Sequence, residues 1–145
     1  MSKNKIIISS SDNKYFFLIK ELYLSLKNNG ILDEYDFAIL DTGLDLKQKN
    51  YFKDHNVLVK SAEWNVEVPK YKILGRENLK TQVARAFLPD YFNNYKLYIW
   101  LDADMWLNDI ESFYLYEKGA LSDKLTIVPQ SDRAYVKNAN VEWLF

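Results

Sequence analysis

The chain has 145 residues and a formal net charge of -1, so it is long enough to bury a hydrophobic core and has no general attraction for nucleic acid. A content of 48% hydrophobic and 16% aromatic residues excludes a disordered chain. The absence of cysteine excludes disulfides, thiolate metal sites and a cysteine nucleophile. The apolar run at 6–8 is too short for a signal peptide or a membrane span, so we expect a cytoplasmic protein.

Apolar runs and helical periodicity alternate along the chain. We predict strands at 6–8, 35–40, 57–59, 96–101 and 125–128. We predict helices at about 15–28, 44–52, 79–88 and 110–116, with an irregular loop at 61–76. Asn78 is the expected cap of the helix at 79–88, and Pro89 is its expected end. Strands that alternate with helices predict an α/β fold with a mainly parallel sheet covered by helices on both faces. The aromatic C-terminal segment 141–145 suggests a chain that was cut within a domain.

Polar residues follow the first predicted strand. Ser9, Ser10, Ser11 and Asp12 predict a turn that caps the first helix, where unpaired backbone N–H groups are available to a phosphate or nucleotide. The serines fit equally well as residues that make turn hydrogen bonds. Tyr15 lies on the apolar stripe of the helix, and this spacing by itself favours a core residue. The sequence has neither a Gly-x-Gly-x-x-Gly fingerprint nor a P-loop.

Two carboxylates follow the strand predicted at 96–101. Ligands bind at the carboxyl ends of strands in open α/β sheets, so Asp102 and Asp104 are candidates for contact with a ligand. In an extended segment both carboxylates point the same way and Ala103 points the other way. Such a pair suits Mg²⁺ or Mn²⁺, although an Asp-x-Asp triplet also arises by chance at solvated strand ends. Trp100 and Trp106, on either side, are more typical of packing than of sugar stacking.

Three stretches of the sequence share a pattern with one known family. The first is 6–15, in which an Asp stands three residues before a Tyr, and the second is 37–44. The third is Arg85-Ala86-Phe87-Leu88-Pro89 followed by Asp102-Ala103-Asp104. In the last stretch the first aspartate stands seventeen positions after the arginine. Together the stretches resemble the family 8 glycosyltransferases of the GT-A fold, which use nucleotide sugars. The resemblance covers roughly residues 5–110, about the first half of a typical member.

The resemblance implies a GT-A (Rossmann-like) fold and a nucleotide-sugar site. Ser9 and Ser10 would belong to the nucleotide-binding segment. Tyr15 would stack on the uracil ring, and Asp12 would accept its N3–H. Ala103 would lie near the ribose.

The same resemblance gives a role to each charged residue of the third stretch. Asp102 and Asp104 would hold Mn²⁺ or Mg²⁺ against the diphosphate, and Arg85 would reach the donor sugar or phosphate. Without the resemblance, Arg85 fits a surface helix residue in a salt bridge. His55 precedes the aspartates, so it does not match the third metal ligand of the family, a His far downstream.

The implied activity is a metal-dependent transfer of a hexose from a UDP-sugar to a glycan or lipid-linked acceptor, as in polysaccharide or lipopolysaccharide biosynthesis. Residues 1–145 would form a single nucleotide-sugar-binding domain, the first half of a longer enzyme whose catalytic residues lie beyond residue 145. Nucleic acid is not an expected partner. Attachment to the inner face of the membrane and assembly into an oligomer stay open.

Three other functions fit parts of the pattern. The chain could be a binding module that holds a nucleotide or nucleotide sugar without turnover. A phosphotransfer enzyme with a nucleophilic aspartate is a weaker match. In such enzymes the Asp-x-Asp pair follows the first strand and precedes Gly-Thr, whereas in this chain the pair comes late and is followed by Met-Trp. A structural α/β domain without a site is the remaining alternative.

Overall fold

The computed structural model describes residues 3–122 and 124–127. The strands are β1 (Lys5–Asp12), β2 (Asp36–Gly43), β3 (Leu58–Ser61) and β4 (Leu97–Trp100). The helices are α1 (Phe16–Asn28), α2 (Ile31–Glu34), α3 (Leu46–Asp54), α4 (Lys70–Ile73), α5 (Lys80–Ala84), α6 (Leu88–Tyr91) and α7 (Ile110–Ala120). Two 3₁₀ turns, Glu77–Leu79 and Arg85–Phe87, flank α5.

The described strands form one four-stranded sheet in the order β3-β2-β1-β4, and every pair of neighbours is parallel. β1 therefore has a partner on each side. Its register with β4 runs from Lys5 opposite Leu97 to Ile8 opposite Trp100. The predicted parallel α/β sheet is confirmed.

Helices cover both faces of this sheet. On one face, residues of β1, β2 and the α5–α6 region form a buried cluster of Ile6, Ile8, Ala38, Leu40, Ala62, Ala84, Leu88 and Phe92. On the other face α1 buries Ile19, Leu22 and Leu26, and its Tyr23 ring lies 5.9 Å from the ring of Phe37 in β2. The alternation of side chains along β1 and β2 supplies apolar residues to both layers, as expected for a sheet that is buried on both sides.

β1 is longer than its apolar run predicts. The strand continues through the three serines to Asp12, because the backbone pairs with β2 from Ile6 opposite Asp36 to Asp12 opposite Gly43. The predicted polar turn at Ser9–Asp12 is therefore wrong, and the turn lies at Asn13–Tyr15. Pairing with a neighbouring strand outweighs the low strand preference of serine and aspartate.

The helix predicted at about 79–88 is a series of short helical turns. It passes from Glu77–Leu79 through α5 and the turn Arg85–Phe87 into α6. The predicted cap at Asn78 is absent, and Pro89 does not end the helical path as expected. Pro89 stands in the first turn of α6, where the missing N–H of proline costs nothing.

The chain divides into two compact units, 1–113 and 114–145. α7 begins in the first and ends in the second, and it confirms the helix predicted at 110–116. The predicted strand 125–128 is wrong for residues 125–127, which have no strand structure; residue 128 and the segment 141–145 lie outside the described residues. Over residues 3–122 and 124–127, no helix has the length and apolar character needed to span a membrane.

Candidate functional site

The strand order changes direction next to β1. The chain moves from β1 to β2 and β3 on one side, and then β4 pairs on the other side. In open parallel sheets a crevice forms at such a point, outside the carboxyl ends of the two strands. β1 ends at Asp12, and β4 leads directly to Asp102. The hydrogen bonds between β1 and β4 continue past Trp100, because Leu101 N donates to Ile8 O at 3.0 Å. Asp102 therefore follows β4 alongside the serine segment of β1.

The side chains of Arg85, Trp100 and Asp102 contact one another. Arg85 Nη2 donates to Asp102 Oδ1 at 2.6 Å, and Trp100 Nε1 donates to the same oxygen at 2.8 Å. The Arg85 guanidinium also lies over the Trp100 ring, with Cζ 4.4 Å from the ring centroid. Sequence reasoning assigned Arg85 and Asp102 to the same ligand but did not predict this contact. It also assigned Trp100 to packing, and the indole does pack against the cluster on this face while it donates to Asp102.

The backbone turns immediately after β4. Met105 N donates to Asp102 O at 3.0 Å, which places Ala103 and Asp104 at the centre of a turn. The side-chain alternation predicted for an extended 102–104 segment is therefore wrong. Further on, Leu107 N donates to Ser25 Oγ of α1 at 3.1 Å, which fixes the loop that follows the turn. Trp106 is 71% exposed and is not a core residue.

The two carboxylates have the chemistry that a hard divalent cation requires. The Asp102 side chain is 53% exposed, and both of its hydrogen bonds within the described chain use Oδ1. Asp104 is exposed. No group of three or more His, Cys, Asp or Glu side chains that could hold a metal ion exists among residues 3–122 and 124–127. Mg²⁺ is commonly held by one or two carboxylates together with substrate phosphates, so the residues present fit such an ion.

Tyr15 is exposed at the end of the β1–α1 turn. Its side chain is 47% exposed and precedes α1, so the interpretation of Tyr15 as a core residue is wrong. Asp12 Oδ1 accepts a hydrogen bond from Tyr15 N at 3.0 Å, which sets the backbone that carries the ring. The Lys14 ammonium lies 5.4 Å from the ring centroid. An accessible aromatic ring in a fixed turn is able to stack on a planar ligand.

The three serines of β1 differ in exposure. Ser9 is fully buried and its Oγ has no hydrogen-bond partner among the described residues, so its side chain has no surface for the predicted nucleotide contact. Ser11 is also buried and donates to Asp12 O. Ser10 is half-buried. The predicted supply of free N–H groups is reduced too, because Asn13 N donates to Gly43 O and Tyr15 N to Asp12.

Asp41 follows the strand predicted at 35–40 and lies near the end of β2, and sequence reasoning gave it no ligand role. It is 6% exposed, accepts from Gly43 N at 2.8 Å and Leu44 N at 2.6 Å, and pairs with Lys49 Nζ at 2.6 Å. Burial acts to raise the pKa of Asp41, but the hydrogen bonds from Lys49, Leu44 and Gly43 outweigh it and lower the pKa below its usual value. The signal that identified Asp102, a carboxylate after an apolar strand, also applied to Asp41. Its partners show that it stabilises the turn after β2.

Solved structures with the same fold include two crystal structures of the galactosyltransferase LgtC. The structure of an active-site mutant of LgtC aligns with a TM-score of 0.56 and 19% sequence identity, over 77% of this chain and 41% of the LgtC chain. The complex of LgtC with donor and acceptor sugar analogues aligns with a TM-score of 0.54 and 18% identity, over 75% of this chain and 41% of that chain. This chain therefore spans about two fifths of the length of these structures.

The all-parallel sheet flanked by helices matches a GT-A, Rossmann-like glycosyltransferase fold, as the sequence predicted. No family model matches the chain, and no curated protein matches its sequence.

Proposed function

We propose that this chain is the nucleotide-sugar-binding part of a metal-dependent glycosyltransferase that transfers a hexose from a UDP-sugar to a glycan or lipid-linked acceptor. The observation that carries the proposal is the position of Asp102 beside the carboxyl end of β1, at the reversal of strand order. The fold shared with LgtC, which was crystallised with donor and acceptor sugar analogues, supports the same substrate class.

Four residues of the site have roles in binding the donor nucleotide. The Tyr15 ring stacks on the uracil, while Asp12, which already holds the Tyr15 backbone through Oδ1, accepts the uracil N3–H through its other oxygen. Ser10 belongs to the nucleotide-binding segment, and Ala103 contacts the ribose. These contacts select a uridine nucleotide, because an acceptor-only carboxylate matches N3–H of uracil and not the unprotonated N3 of cytosine.

The charged residues act on the diphosphate. Asp102 and Asp104 would hold Mn²⁺ or Mg²⁺, and the ion would supply charge neutralisation for the departing nucleoside diphosphate. Arg85 lies next to Asp102 and offers a planar fork of N–H donors to the phosphate or to the donor sugar. Groups that bind the acceptor and complete catalysis belong to the part of such an enzyme that this chain does not cover.

Calorimetric titration of the chain with UDP, with and without Mn²⁺, tests this proposal. We expect binding that requires the metal, that is lost in Asp102→Asn/Asp104→Asn, and that persists in a matched control, Asp90→Asn/Asp54→Asn, at two exposed aspartates away from the crevice. A folded wild-type chain that binds no UDP in the presence of Mn²⁺ would contradict the proposal.

A second candidate function is nucleotide-sugar binding without turnover. Release of UDP from UDP-galactose or UDP-glucose in the presence of Mn²⁺ separates the two functions. A transferase releases UDP when an acceptor is supplied, whereas a binding module retains the intact donor.

A further inference from the structure

The indole of Trp100 contacts both charged groups beside the strand end. Its Nε1 donates to Asp102 Oδ1 at 2.8 Å, and its ring carries the Arg85 guanidinium at 4.4 Å. Trp100 is itself the last residue of β4, opposite Ile8 of β1, and packs against the buried cluster on this face of the sheet. A side chain anchored in this way has little freedom, so its N–H direction is fixed by the sheet.

The hydrogen bonds leave one side of the Asp102 carboxylate accessible. Both donors within the described chain approach Oδ1, and the side chain is 53% exposed. Arg85 uses a single nitrogen, Nη2, whereas its Nε is buried and has no acceptor among the described residues. A two-point contact with the carboxylate, the usual geometry of an arginine, would engage both carboxylate oxygens. The one-point contact keeps Oδ2 available for another ligand.

We propose that Trp100 is a positioning residue for the divalent cation of the proposed function. By donating to Oδ1, it fixes the rotation of the Asp102 carboxylate so that Oδ2 faces the crevice and the cation. Hydrogen bonds of this kind orient carboxylate ligands at metal sites. The same indole holds Arg85 on its face beside the diphosphate, where cation–π contact stabilises the guanidinium whether or not it is bonded to Asp102. This inference depends on the proposed function.

Trp100→Phe tests the role of the indole N–H separately from that of the aromatic ring. Phenylalanine retains an aromatic face for Arg85 but lacks the N–H. We expect about a tenfold loss of metal-dependent UDP affinity, the size of one charge-assisted hydrogen bond. Trp106→Phe, at a 71% exposed tryptophan near the same aspartates, is the matched control and should leave this affinity unchanged.

A double-mutant cycle separates positioning from general structural support. In the Asp102→Asn background, Trp100→Phe should cause no further loss of metal-dependent affinity, because the carboxylate that it orients is gone. An equal loss of metal-dependent affinity in both backgrounds would overturn the positioning role.

Nuclear magnetic resonance gives a readout that needs no turnover. The sequence has four tryptophans, so Trp100→Phe assigns the Trp100 indole N–H signal by removing one of four. Asp102→Asn should shift this signal and Asp104→Asn should not; Mn²⁺ with UDP should broaden it more than the Trp64 signal. A Trp100 signal insensitive to Asp102→Asn, or one that Mn²⁺ with UDP does not broaden, would overturn the proposal.

These measurements distinguish the failure of this inference from the failure of the proposed function. If wild-type chain binds UDP with Mn²⁺ but Trp100→Phe has no effect, the positioning role alone is contradicted. If wild-type chain binds no UDP with Mn²⁺, the proposed function is contradicted and the positioning role with it.

Discussion

Two aspartates near the ends of the strands that flank β1 have different roles. Asp41 of β2 is buried and bonded to Lys49 and to two backbone N–H groups, whereas Asp102, which follows β4, is half exposed. A buried carboxylate whose hydrogen-bond acceptors are filled contributes to stability, and an accessible one is available to a ligand. Residue type and position after a strand do not separate these cases, so burial and partners decide which carboxylate has a structural role.

Asp41→Asn should lower the free energy of unfolding by about 1 to 2 kcal/mol at pH 7, because the amide cannot pair with Lys49 while its oxygen still accepts backbone hydrogen bonds. The pKa of Asp41 is lowered by folding, so its contribution to stability is complete above the usual carboxyl range and is lost as pH falls below about 4. Urea denaturation at pH 7 and pH 3 measures both effects. Asp54→Asn, at an exposed aspartate, is the control; an Asp41→Asn deficit that is as large at pH 3 as at pH 7 would contradict this account.

Tyr15→Ala should weaken metal-dependent UDP binding about tenfold, because stacking of a base on an aromatic ring contributes roughly 1 to 3 kcal/mol. Tyr15→Phe retains the ring and should bind UDP as the wild type does. Phe17→Ala removes a neighbouring ring that is 66% exposed and serves as the control. Calorimetry on the three variants checks the prediction, and equal losses for Tyr15→Ala and Phe17→Ala would argue against a stacking role.

The paired ends of β1 and β2 hold the turn that presents Tyr15. The register shifts by one residue near Asp12, so Ser11 is opposite Asp41 and Asp12 is opposite Gly43. Gly43 has a φ of 148°, a conformation that residues with a side chain rarely adopt, and its carbonyl accepts from Asn13 N. Gln48 Nε2 of α3 donates to Asn13 Oδ1 at 2.8 Å. The irregular pairing therefore fixes the backbone just before Tyr15.

Gly43→Ala should destabilise the chain by about 1 to 2 kcal/mol, because alanine is strained at this φ. It should also weaken UDP binding, since the Gly43 carbonyl accepts from Asn13, the first residue of the turn that carries Tyr15. Thr42→Ala changes the adjacent residue of the same irregular pairing but leaves Gly43 in place. It should lower the free energy of unfolding by less than half as much as Gly43→Ala. Thermal unfolding with calorimetry checks both variants; a Gly43→Ala chain as stable as the wild type would be inconsistent with strain at this position.

Sequence patterns predicted which helices and strands form better than they predicted where each one begins and ends. The apolar spacing of α1 is a local signal, and α1 and α3 both form close to where they are predicted. The capping pair Asp45 and Gln48 of α3 is a further local signal that sequence reasoning did not use. The strand residues Ser9–Asp12 look like a turn because their strand structure comes from pairing with β2, which no local pattern reveals. The contacts among Arg85, Trp100 and Asp102 depend in the same way on where the sheet brings distant segments together.

The whole sheet explains why the site lies beside β1. β1 is paired on both sides, and its apolar residues Ile6, Ile7 and Ile8 are fully buried. β3 lies at one end of the described sheet and pairs there with β2 alone. The sequence predicted a parallel sheet, but the strand order comes from tertiary packing, and it is this order that brings Asp12 and Asp102 to the same crevice.

Hydrogen exchange should follow this arrangement. We expect the amides of Ile7 and Ile8 to exchange most slowly, and those of Val59 and Lys60 in β3 to exchange at least tenfold faster, because an outer strand opens without disrupting the rest of the sheet. Exchange followed by mass spectrometry or NMR measures these rates. Protection of β3 equal to that of β1 would contradict the strand order.

The most direct test of the central claim is to locate bound nucleotide on the labelled chain by NMR, with UDP and Mg²⁺ added together. The account predicts that the largest backbone shifts fall at Ser10, Tyr15 and Ala103, around the crevice between β1 and β4, and that they vanish in Asp102→Asn/Asp104→Asn. Residues of β3 such as Val59 should not shift. Shifts concentrated at the β3 edge, or no shifts with UDP and Mg²⁺, would contradict a nucleotide-sugar site at this crevice.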